Sequence, residues 1–95
     1  MKRTLVVTPE AEAEIAQAAD WYLRQSWRAA NGFRENVDAA LHTIERNPEQ
    51  YQVVYRQTRR VLLETYPYAL FYVVTAAEIT VVSCFHTSRD PNLWR

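Results

Sequence analysis

The sequence predicts an α+β domain in the order β-α-α-β-β-β, with a helical hairpin packed on an antiparallel sheet. Three features predict it: a short β-branched run near the start, two stretches of helical apolar periodicity behind it, and a change toward period two beyond Pro48. A chain of 95 residues is long enough for one core and too short for two, so residues 1–95 read as a single domain.

Thr4-Leu5-Val6-Val7 is the first strand. It runs straight into Thr8-Pro9-Glu10, which supplies an N-cap, a proline at the first helical position and an acid near the positive helix end. Ala11, Ile15, Ala18, Ala19 and Tyr22 then recur at helical spacing to about Gln25, and the many alanines on that face predict close packing. The stretch from Ser26 to Gly32 carries the only glycine and allows a break between helices. Ala30, Phe33, Val37, Ala40, Leu41 and Ile44 form the second helical stripe, which stops at Asn47-Pro48. Two helices with a short link make an antiparallel hairpin. After a polar loop from Pro48 to about Tyr55, strands are predicted over 60–64, 69–74 and 79–85, with hairpin-sized links at Tyr66-Pro67 and Thr75-Ala76-Ala77-Glu78. The last two strands are apolar on both faces, as central strands are, so a single helical layer leaves one face needing other cover.

Composition narrows the function. Eleven basic residues balance eleven acidic ones, which argues against recruitment to nucleic acid by bulk charge or sequence-specific binding to it. Ten of the eleven cations are arginine, the planar donor suited to interfaces. The segment after Gln50 holds five basic and three acidic residues and is the more anion-facing half. Cys84 is the single cysteine, so no intrachain disulfide forms and a reducing, cytoplasmic setting is expected. The apolar run behind Met1-Lys2-Arg3 ends at Val7, too short for a secretory or membrane-spanning segment, so no membrane association is expected. No glycine-rich phosphate loop or metal-ligand spacing appears, and no cofactor or metal is expected.

Three groups of residues are candidates for function. The C-terminal run from Phe85 through His86, Arg89, Asp90-Pro91 and Trp94 offers a base or donor, an anion clamp and an aromatic anchor. It reads also as a turn capped by Asp90 and pinned by Leu93 and Trp94. Arg56, Arg59 and Arg60 enter a strand with Glu64 further on. By alternation Arg60 and Glu64 share a face with Leu62, and an Arg60, Glu64, His86 set across adjacent strands would suit acid–base cleavage of RNA. A charged edge that discourages aggregation accounts for the same residues, and the lack of accompanying lysines weakens the nuclease reading. Trp21 falls with Glu14 and Gln17 on the polar face of the first helix, where an aromatic signals a partner or a second helix reaching around to cover it. Trp27 at the hairpin link either joins it or pins the turn.

The combination of Thr8-Pro9-Glu10-Ala11, Asn47-Pro48, Arg60, Tyr66-Pro67-Tyr68 with Leu70-Phe71-Tyr72, and His86-Thr87-Ser88-Arg89-Asp90-Pro91 with Trp94 resembles toxins of the RelE/ParE superfamily, on the ParE side. The resemblance spans nearly the whole chain. It implies a toxin of a type II toxin-antitoxin, or plasmid stabilisation, system, held in a hetero-oligomer by a cognate ParD-like antitoxin. ParE-type members poison DNA gyrase by protein contact and RelE-type members cleave messenger RNA on the ribosome. The missing lysines and zero net charge favour the gyrase-directed, non-enzymatic type, with Arg60, His86, Arg89 and Trp94 as target contacts and Trp21 and Trp27 facing the antitoxin. A member that only retains antitoxin binding is a further alternative.

Overall fold

The computed structural model describes residues 3–88. Its elements are β1 (Thr4–Val7), α1 (Pro9–Gln25), α2 (Trp27–Arg46), β2 (Val53–Tyr55), β3 (Thr58–Leu62), β4 (Tyr68–Val74) and β5 (Glu78–His86). They form the predicted α+β fold, a helical hairpin on one face of a five-stranded sheet of order β1-β5-β4-β3-β2. The sheet is mixed, because β1 pairs in parallel with β5, Leu5 opposite Ile79 and Val7 opposite Val81. The other pairings are antiparallel.

Thr8 caps α1 as expected, its Oγ1 accepting the Ala11 N–H at 3.1 Å, with Pro9 in the first turn. The break between helices falls on one residue. The backbone of Ser26 is extended; its N–H closes α1 on the Tyr22 carbonyl while its hydroxyl opens α2 by accepting from Arg28 and Ala29. Gly32 therefore lies inside α2, and its reason is steric. Tyr66 reaches across from the loop before β4 to donate its hydroxyl to the Ala29 carbonyl at 3.0 Å, and a methyl group at Gly32 would fall on that hydroxyl.

The core lies between the hairpin and the sheet. Ala11, Ala18 and Ala19 of α1 and Phe33, Val37, Ala40 and Ile44 of α2 meet Val61, Leu63, Leu70, Tyr72, Ile79 and Val81. Small alanines on α1 let that helix sit close to β5, while α2 brings the bulk. The buried Tyr72 donates its hydroxyl to the Pro48 carbonyl at 2.6 Å, and burial pushes its pKa up to about 12. Arg59 donates to the carbonyls of Glu49 and Tyr51, so these two residues hold the loop after α2 against the sheet.

The additional strand β2 forms a hairpin with β3 through Arg56-Gln57, where Arg56 takes a left-handed φ of 52°. That conformation ordinarily calls for glycine or asparagine. Here Arg56 is held by its neighbour: its Nε donates to the Tyr55 hydroxyl at 3.0 Å and its guanidinium lies 5.2 Å from the ring centroid.

Candidate functional site

The geometry of the site follows from a β-bulge. Tyr72 pairs with Val81 but Phe71 pairs with Ser83, so Val82 is an extra residue in β5. Side chains facing the helices are Ile79 and Val81 before the bulge and Cys84 and His86 after it, since paired residues share a face and these oppose Val74, Tyr72, Leu70 and Tyr68. The bulge turns His86 under α1.

On α1, Glu14, Gln17, Ala18 and Trp21 fall three to four residues apart and meet this end of β5. β1 ends opposite Val81, where the Thr8 N–H donates to the Val81 carbonyl, so the outer edge of β5 beyond it has no strand neighbour among the described residues. The Cys84 N–H on that edge is taken by the Glu14 carboxylate at 2.9 Å. A side chain thus takes a backbone donor that a neighbouring strand would otherwise take. The Cys84 thiol is pushed up to about 12, first by burial and then by the nearby Glu14 charge, which makes it an inert thiol.

Between helix and strand a cleft of about 230 Å³ is lined by Glu14, Gln17, Trp21, Tyr68, Cys84 and His86. His86 stands edge-on to Tyr68, ring centroids 5.1 Å apart. Its Nδ1 accepts the Ser88 N–H at 3.1 Å, so in the neutral ring the proton sits on Nε2. The indole of Trp21 is 53% exposed and packs edge-on against Tyr22. The reading of Trp21 as a residue covered by the second helix therefore fails. Trp27, 62% exposed, and Leu23 stand at the same end of the hairpin, with the Arg28 guanidinium 5.3 Å from the Trp27 ring.

Arg60 lies elsewhere. It pairs with Phe71, so it points to the face of the sheet away from the helices, beside exposed Leu62. Glu64 is exposed and lies past the end of β3. Arg60 and His86 stand on opposite faces, separated by β4, and the three-residue acid–base set is not assembled in this structure. Arg89 and Trp94 lie outside the described residues, as does the Asp90-Pro91 turn. On the face of Arg60, Phe71 packs on Phe85, and the buried Ser83 hydroxyl has no hydrogen-bond partner among the described residues. Among those residues no group of three His, Cys, Asp or Glu side chains could hold a metal, and no helix is long and apolar enough to cross a membrane.

Glu14 was the residue of the candidate site hardest to foresee. Its spacing from Gln17 and Trp21 marks one helical stripe, but only the bulge in β5 brings a polar strand end beneath that stripe.

A family model described as the ParE toxin of the type II toxin-antitoxin system parDE matches residues 5–91. No curated protein matches the chain in sequence. Among solved structures it is similar to the chromosomal ParDE toxin-antitoxin system from P. aeruginosa, with a TM-score of 0.79 and 17% identity over 90% of this chain and 96% of that one. It is also similar to the YoeB dimer from Staphylococcus aureus, with a TM-score of 0.58 and 16% identity over 88% and 95% of the two chains.

Proposed function

Since this chain belongs to the ParE toxins of type II toxin-antitoxin systems, we propose that it acts in the bacterial cytoplasm by binding DNA gyrase through protein contact, and that a ParD-like antitoxin neutralises it in a hetero-oligomer. The observation that carries this reading is the separation of Arg60 from His86 by the sheet itself. A ribonuclease needs its general base and its phosphate contact around one scissile bond, within hydrogen-bond reach of it. Two side chains on opposite faces of a sheet cannot meet that requirement. Protein contact has no such demand, and the exposed Trp21 and Trp27 are the residue type most often found as interface anchors.

On this reading the antitoxin covers Trp21 and Trp27 at the end of the hairpin. The target is met by Arg60 on the opposite face together with Arg89 and Trp94 of the tail. His86, the fourth expected contact, lines the cleft under α1. The experiment is induced expression without antitoxin, following plasmid supercoiling, gyrase cleavage complexes and messenger integrity in the same cells. Accumulated cleavage complexes with intact messengers are expected. Position-specific cuts in translated messages that disappear in His86→Ala would refute the proposal.

A further inference from the structure

The cleft under α1 has a chemistry of its own. Glu14 is half-buried, and one of its oxygens is engaged by a neutral donor, the Cys84 N–H. A carboxylate has about four acceptor sites, and among the described residues the lining contains no lysine or arginine to use the rest. The Cys84 carbonyl lies on the same strand edge as its N–H, where no strand follows β1 among the described residues, and is a second acceptor on the edge that borders the cleft. Trp21, two helical turns beyond Glu14, forms an aromatic wall that is 53% exposed. A carboxylate, a carbonyl acceptor beside it and an indole wall together describe a receptor for a planar cation with an apolar stem.

We propose that this cleft receives an arginine side chain of the antitoxin, its guanidinium on Glu14 and its stem along Trp21. The assignment rests on the antitoxin-binding function proposed above and names the anchor that such binding uses. Charge complementarity carries it: the cleft has the Glu14 carboxylate and no lysine or arginine among the described lining residues. Its volume of about 230 Å³ holds a guanidinium and part of its stem, and is too small for a folded element.

Two measurements test this on the full chain. In the first, Nα-acetyl-arginine amide and its neutral citrulline counterpart are titrated at millimolar concentration, while NMR follows the Cys84 amide and the Trp21 indole N–H. Arginine should shift both signals, citrulline should not, and Glu14→Gln should abolish the response. An equal response to both probes, or none to arginine, overturns the cation site. In the second, the cognate antitoxin is titrated against the wild type and Glu14→Gln. The variant keeps an acceptor for the Cys84 N–H and so should melt like the wild type. Its antitoxin affinity should fall about tenfold, with a shallower salt dependence. Unchanged affinity in Glu14→Gln overturns the partner assignment. The first measurement contains no antitoxin, so its failure removes the cleft chemistry alone. Failure of the wild-type chain to bind any antitoxin removes the functional reading instead.

Discussion

Replacing Gly32 by alanine should destabilise this protein, against the expectation for a helix interior. Gly32 sits in α2, where alanine ordinarily gains about 1 kcal/mol over glycine. The added methyl would fall on the Tyr66 hydroxyl and stand 3.3 Å from Cζ, so the ring must move. Moving it breaks the hydrogen bond to the Ala29 carbonyl, worth about 1 kcal/mol. It also disturbs the edge-to-face contacts of Tyr66 with Tyr22, at 4.9 Å and 82°, and with Phe33, at 5.7 Å and 79°. Such aromatic pairs are worth about 1 kcal/mol each. The losses exceed the propensity gain by about 2 kcal/mol, which in a domain of this size lowers Tm by roughly 8–16 °C. Thermal and urea unfolding of wild type, Gly32→Ala, Tyr66→Phe and the double variant measures this. Tyr66→Phe removes the oxygen responsible for the clash, so Gly32→Ala in that background should be neutral or stabilising. The resulting coupling is about 2 kcal/mol. A stabilising Gly32→Ala in the wild-type background, or additive effects, would refute the reasoning.

Three further outcomes follow from the same packing. Cys84 and Tyr72 titrate near 12 in the folded chain instead of 9.0 and 10.0, so the unfolded chain releases those protons first as pH rises. The stability they contribute is complete below pH 9 and is lost between pH 9 and 12. Urea midpoints should decline across that window and decline less in Cys84→Ala. Ser83→Ala removes a buried hydroxyl with no partner among the described residues and should raise stability by about 1 kcal/mol, read from the urea midpoint at constant slope. Arg56→Gly relieves a left-handed φ of 52° but gives up the contact with Tyr55, so its gain should stay under about 1 kcal/mol, and a loss of stability would show that contact to dominate.

Helices and core were legible because their signals are local. Thr8-Pro9 caps α1 where the residue types require it, and the stripes from Ala11 to Tyr22 and from Ala30 to Ile44 are the faces that pack. Elements that depend on partners were not legible. Strand β2 has three residues and turns through Arg56-Gln57, without the Asn-Gly or Asp-Gly signal of a short hairpin. The parallel pairing of β1 with β5 joins residues more than seventy positions apart and leaves no trace in alternation. Gly32 looked like a hinge because glycine breaks helices on its own account, whereas its neighbour across the fold, Tyr66, decides its role.

The candidate site depended on the least legible feature of all. Alternation counted from Ile79 and Val81 would send Ser83 and Phe85 toward the helices and place Cys84 and His86 on the opposite face, the face of Arg60. On that count a nuclease constellation is geometrically admissible. One extra residue at Val82 reverses the count for the rest of β5. It buries Cys84 against α1, leaves Ser83 without a partner among the described residues, and carries His86 into the cleft with Glu14 and Trp21. Whether His86 shares a face with Arg60 thus turns on the parity of a single strand. An RNA-cleaving relative of this fold whose β5 lacked the bulge would carry its histidine on the arginine face, and a cleaving relative with the same bulge and the same two residues would show that strand parity does not decide the activity.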